Sequence, residues 1–96
     1  MITREDFIFA IGFEGATAVV DGKAKRQFGK LSTMELAEKG LYRAAYASAL
    51  FSGKAEEIKS FIDFFNSKAR TSYTEAAQLS RLFGVYLEDI TKTMIL

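Results

Sequence analysis

The 96-residue chain has no cysteine, no histidine, no proline and no tryptophan. Without cysteine there is no disulfide framework, no thiol nucleophile and no thiolate zinc site. Without histidine the chain lacks the commonest metal ligand and the usual general base near neutral pH. An excess of either charge is missing too. Thirteen basic against twelve acidic residues leave +1, so no overall field steers nucleic acid or a membrane surface toward the protein. No apolar run approaches the about 18 residues of a membrane span, and no basic-then-apolar leader opens the sequence. The expectation is a cytoplasmic protein that needs no membrane.

What is present is a core. Hydrophobic residues make up 49% of the chain and aromatics 14%, with nine Phe and four Tyr. A chain of 10.7 kDa buries roughly two-thirds of its extended surface on folding. That supports a single domain over residues 1–96 and leaves little room for a deep substrate cleft beside it.

The absence of proline and the presence of seven glycines suggest short helices that end at glycine C-caps. Thr3 followed by Glu5 and Asp6 reads as an N-cap with acids in the first turn. Arg4 to Phe13 is apolar nearly all round, so helix and strand stay open there. Ser32 with Glu35 forms a capping box. Leu41 to Ser52 is alanine-rich, which lets another helix come close. Lys54 to Ser67 carries Ile58, Phe61, Ile62 and Phe65 on one face and is the clearest amphipathic helix. With only Ser52 and Gly53 between them, these two segments should form an αα-hairpin. A further helix should end at Gly84, and Leu87, Ile90 and Met94 then share one face of a last helical segment.

Residues 16–28 admit two readings. Ala16, Val19, Val20, Ala24 and Phe28 fall near helical spacing. Alternatively Asp21-Gly22 is a type I′ turn between strands Thr17–Val20 and Lys23–Phe28. Lys23-Ala24-Lys25-Arg26-Gln27 suits helix better than strand. The expected fold is therefore all-α, five to seven short helices around one core, and its alternative is α+β with an N-terminal hairpin at Asp21-Gly22.

Chemistry has few places to reside. The acidic pairs Glu5-Asp6, Glu56-Glu57 and Glu88-Asp89 fall near expected helix starts, where the dipole stabilises acids. No spacing fits a calcium loop, a phosphate-binding loop or a dinucleotide fingerprint. We expect no catalytic residue, no metal and no cofactor.

Binding is better represented. Aromatic residues exceed what one small core plainly needs, and Tyr, Phe and Arg are common at interface centres. Tyr42, Arg43, Tyr46 and Phe64, with the apolar run Met94-Ile95-Leu96, are the candidate surface for a protein partner or a homodimer. Lys23, Lys25, Arg26 and Lys30 form the one basic cluster and the candidate nucleic-acid face. Residues 78–92 resemble a bacterial helix-turn-helix. Leu79 and Ser80 stand at its apolar and small positions, Gly84 at its turn, and Ile90 where the second helix packs back. The resemblance implies DNA binding, but Glu88 and Asp89 would face phosphate with the wrong charge. The leading expectation is a non-catalytic protein-interaction or self-associating module, with a small DNA- or RNA-binding protein as the alternative.

Overall fold

In the computed structural model, which describes residues 2–87 and 90–96, Thr3 accepts the Asp6 amide and starts α1, Arg4–Ile8. The apolar run then changes conformation. Residues Ala10–Glu14 form β1 and Thr17–Val20 form β2. They pair antiparallel, with Glu14 opposite Thr17 and Ala10 opposite Val20, and the register shifts between Ala10 and Gly12. Gly15, at φ +60°, makes the two-residue connection, a backbone region that a side chain disfavours. After β2 the chain is helical: α2 Gly22–Phe28, α3 Thr33–Glu38, α4 Tyr42–Ser52, α5 Ala55–Ala69 and α6 Ala76–Phe83. It returns to the sheet as β3, Lys92–Ile95, which pairs parallel with β2. The sheet order is β1-β2-β3.

Six helices among the described residues fall within the expected number, yet the three-stranded sheet makes the fold α+β and not all-α. The hairpin turns at Gly15, not at Asp21-Gly22. Asp21 has extended backbone and its carboxylate accepts the Ala24 amide, so it caps α2. Both readings of residues 16–28 hold in part: Thr17–Val20 is strand, and the lysine-rich stretch is helix. Gly22 is small for another reason. A Cβ there would lie 2.5 Å from the Leu96 carbonyl oxygen and 2.7 Å from Ile95 Cγ2, so only glycine lets β3 close against the start of α2.

The local helix signals hold. Ser32 and Glu35 form the capping box of α3, and Gly53 and Gly84 end α4 and α6 in the left-handed conformation. Helix α4 is the centre of the packing and meets α1, α3, α5 and α6. Ala44, Ala45, Ala47 and Ala49 are all buried, because small side chains admit neighbours from several directions. Helix α5 folds back on α4 and buries Phe61, Ile62 and Phe65, while Ile58 is half-buried. Phe61 sits among Tyr46, Phe65 and Phe83, with ring centroids 5.8 to 6.4 Å away.

Candidate functional site

The expected aromatic surface does not assemble as one patch. Tyr46 is 0% exposed. Its hydroxyl donates to the Ala76 carbonyl at 2.8 Å and pairs with Ser80 Oγ at 2.6 Å, tying α4 to α6. Burial pushes this phenol above its ordinary pKa, against a smaller opposing effect of the Ser80 hydrogen bond. Tyr46 belongs to the core, because Phe61 of α5 and Phe83 of α6 pack against its ring at 5.9 and 5.8 Å. Tyr42 is half-buried and meets Phe65 edge-on at 5.4 Å. Phe64 is half-buried, with Lys68 Nζ 5.6 Å from its ring centre.

Arg43 is a structural tie. Its Nη1 donates to the Ala10 carbonyl at 2.6 Å and its Nε to the Phe83 carbonyl at 3.2 Å, joining β1, α4 and the end of α6. Desolvation lowers its pKa from the usual guanidinium value. Tyr42 and Arg43 share the wall of a cleft of about 310 Å³ with Phe9, Ile11 and Phe28; Tyr46 and Phe64 do not line it.

The basic cluster also divides. Lys23, Arg26 and Lys30 are exposed. Lys25 instead pairs with Asp6 at 2.6 Å and is the sole partner of that buried oxygen among the described residues. The candidate basic face thus presents three exposed cations and not four. The helix-turn-helix resemblance fails after its turn. Gly84 ends α6 as expected, but residues 85–87 and 90–91 are not helical and 92–95 are strand. Val85 and Ile90 are buried, whereas Leu87 and Met94, expected on the same packing face, are exposed. Glu88 and Asp89 lie outside the described residues.

A second polar cluster lies inside the helical layer. The guanidinium of Arg4 donates to Ser48 Oγ at 2.9 and 3.2 Å, and to the Gly29 carbonyl at 2.9 Å. Ser48 Oγ is 2.7 Å from Thr33 Oγ1, which also meets Glu57 Oε1. A carboxylate only accepts, so the single Thr33 proton goes to Glu57 and the Ser48 proton to Thr33. The order is then cation, hydroxyl, hydroxyl, anion, with each group satisfied. Burial raises the Glu57 pKa, but hydrogen bonds from Thr33 and Ser52, with Lys54 and Arg4 nearby, outweigh it and hold the value below normal. This chain of contacts ties α1, α4, α3 and α5 together through Arg4, Ser48, Thr33 and Glu57. No group of three or more potential ligands gathers around a metal position among the described residues.

The edge of the sheet is different. All four residues of β3 are exposed. Met94 is 49% exposed, Ile95 50% and the adjoining Leu96 66%. Backbone geometry fixes which groups point outward. The Lys92 amide donates to the Ala16 carbonyl and the Leu96 amide to the Val20 carbonyl at 2.9 Å. Strand groups alternate with period two, so Met94 also faces β2. Thr93 and Ile95 therefore direct both N–H and C=O away from the sheet, where nothing pairs with them among the described residues. The apolar run Met94-Ile95-Leu96 was legible as a contact candidate, but its strand conformation was not, since a parallel partner far away in sequence leaves no local mark. No family model matches this chain, and no curated protein or solved structure matches it either.

Proposed function

We propose that this chain is a non-catalytic protein-interaction module that binds by adding a partner strand to the outer edge of β3. The observation that carries the reading is an exposed strand whose outward amides and carbonyls, at Thr93 and Ile95, have no partner among the described residues. Such an edge is a template for another strand, and natural proteins usually blunt it with charge, proline or a covering element. Lys92 is the only charged residue of β3. The backbone supplies affinity in this mode and alternate side chains supply selectivity. Met94 and Ile95 would provide an apolar contact on each face of the sheet. The hydroxyl chain around Thr33 and the carbonyl ties of Arg43 support a non-catalytic role, because the polar groups they contain are already engaged. No helix among the described residues is long and apolar enough to cross a membrane; a cytoplasmic setting is part of the same proposal.

The test uses proline, which removes one donor. The Ile95 amide points outward, so Ile95→Pro deletes an edge donor and keeps the ladder with β2, as proline is tolerated on edge strands. Peptides selected from a random twelve-residue library against the wild-type protein should bind Ile95→Pro at least about tenfold more weakly. Selected peptides that bind both proteins equally would refute the edge as the site. Binding of mixed-sequence DNA or RNA that weakens steeply with salt would instead favour the exposed Lys23, Arg26 and Lys30.

A further inference from the structure

Resting on that reading, we infer that the partner strand is β3 of a second copy, paired antiparallel about a two-fold axis at Met94. The register follows from hydrogen-bonding groups already located. Thr93 and Ile95 face outward; Lys92, Met94 and Leu96 face β2. The Thr91 amide is already engaged with the Ala16 carbonyl at 3.0 Å, so the outward ladder begins at Thr93. In an antiparallel pair, two directly opposed residues exchange both of their N–H···O=C bonds. A two-fold axis at Met94 sets Thr93 opposite the partner's Ile95 and Ile95 opposite the partner's Thr93. All four outward amides and carbonyls on each copy are then used in four hydrogen bonds. An axis at Thr93 would set Ile95 against the partner's Thr91, whose amide is taken. An axis at Lys92 would oppose two ammonium groups.

Side chains agree with this register. Thr93 and Ile95 lie level with Ala18 and Val20, which are buried, and Lys92 and Met94 lie level with Thr17 and Val19 on the other face. Pairing about Met94 therefore brings Met94 against the partner's Met94 on one face and Ile95 beside the partner's Thr93 on the other. Leu96 meets the aliphatic stem of the partner's Lys92. The two Lys92 residues end four strand positions out of register, about 13 Å apart, beyond the screening length in physiological salt. A two-fold axis normal to the sheet keeps the helices of both copies on one side, and the order becomes β1-β2-β3-β3-β2-β1. Each copy contributes the same edge, so the assembly closes.

The cysteine-free chain makes the register directly readable. Opposed residues of a non-hydrogen-bonded antiparallel pair have Cα atoms about 4.5 Å apart, within disulfide range. Met94→Cys should form a disulfide dimer under mild oxidation at about 100 μM protein. Thr93→Cys alone should not, because its two copies stand about 8 Å apart, outside that range. An equal mixture of Thr93→Cys and Ile95→Cys should cross-link as a heterodimer. Adding Ile95→Pro to Met94→Cys should slow cross-linking at least about tenfold, with the circular dichroism spectrum unchanged. Equal cross-linking of Met94→Cys and an exposed control, Ser60→Cys, would overturn the paired register. If Ile95→Pro still weakens selected peptides in that case, the edge reading stands and the second copy is excluded as its occupant. If neither effect is seen, both fall.

Discussion

Replacing Phe61 by alanine should lower the unfolding free energy by about 3–5 kcal/mol, the usual cost of truncating a fully enclosed aromatic residue. Phe61 is 0% exposed and touches the ring systems of Tyr46, Phe65 and Phe83. These come from α4, α5 and α6, so the cavity cannot collapse by moving one helix alone. Against a total stability of about 5–15 kcal/mol for a small domain, the loss would be a large fraction. Urea denaturation gives the number. A loss below about 1 kcal/mol would mean that α5 does not pack through this face.

Thr33→Val should cost about 1–3 kcal/mol, although it keeps shape and volume, because it leaves Ser48 without an acceptor and takes one donor from Glu57. The cost should depend on pH. Glu57 in the folded protein has a lowered pKa, with burial opposing hydrogen bonds from Thr33 and Ser52 and the nearby Lys54 and Arg4. A carboxyl group of this kind contributes stability that is fully present above its unfolded value, about 4.3, and is lost as pH falls through the lower folded value. Removing the Thr33 hydroxyl raises the folded value toward the unfolded one. The difference between wild type and Thr33→Val should therefore narrow as pH falls from about 5 to about 3. A difference constant over that range would show that the hydroxyl donates nothing to Glu57.

Features written in a few neighbouring residues were legible in the sequence. The Ser32–Glu35 box and the stripe Ile58-Phe61-Ile62-Phe65 both act within one or two turns, where side-chain spacing dictates contact. Features set by distant partners were not. Phe7 to Phe13 is apolar on every side, so helix ends and strand begins inside a run with no periodicity to divide it. Thr17–Val20 is strand because β1 and β3 flank it, while the next residues, with the same local ambiguity, become helix once Asp21 caps them. The Asp21-Gly22 pair looked like a turn, yet its glycine answers the close approach of Ile95 and Leu96.

The candidate site divides along the same line. Tyr46 looked like surface because aromatics were numerous, but the alanines beside it marked a helix enclosed by its neighbours. Lys25 belonged by spacing to a basic face, and only the fold brings Asp6 within 2.6 Å of it. Met94-Ile95-Leu96 was marked by hydrophobicity alone. Its outward hydrogen-bonding groups follow from pairing with β2, which no spacing in residues 84–96 encodes.

Amide hydrogen exchange along β3, followed at two protein concentrations, bears most directly on the paired edge. At about 10 μM protein, Met94 and Leu96 should exchange slowly because they bond to β2, and Thr93 and Ile95 should exchange fast. At about 500 μM, Thr93 and Ile95 should become protected while Met94 and Leu96 change little. Thr93 and Ile95 exchanging equally fast at both concentrations would contradict self-pairing through this edge.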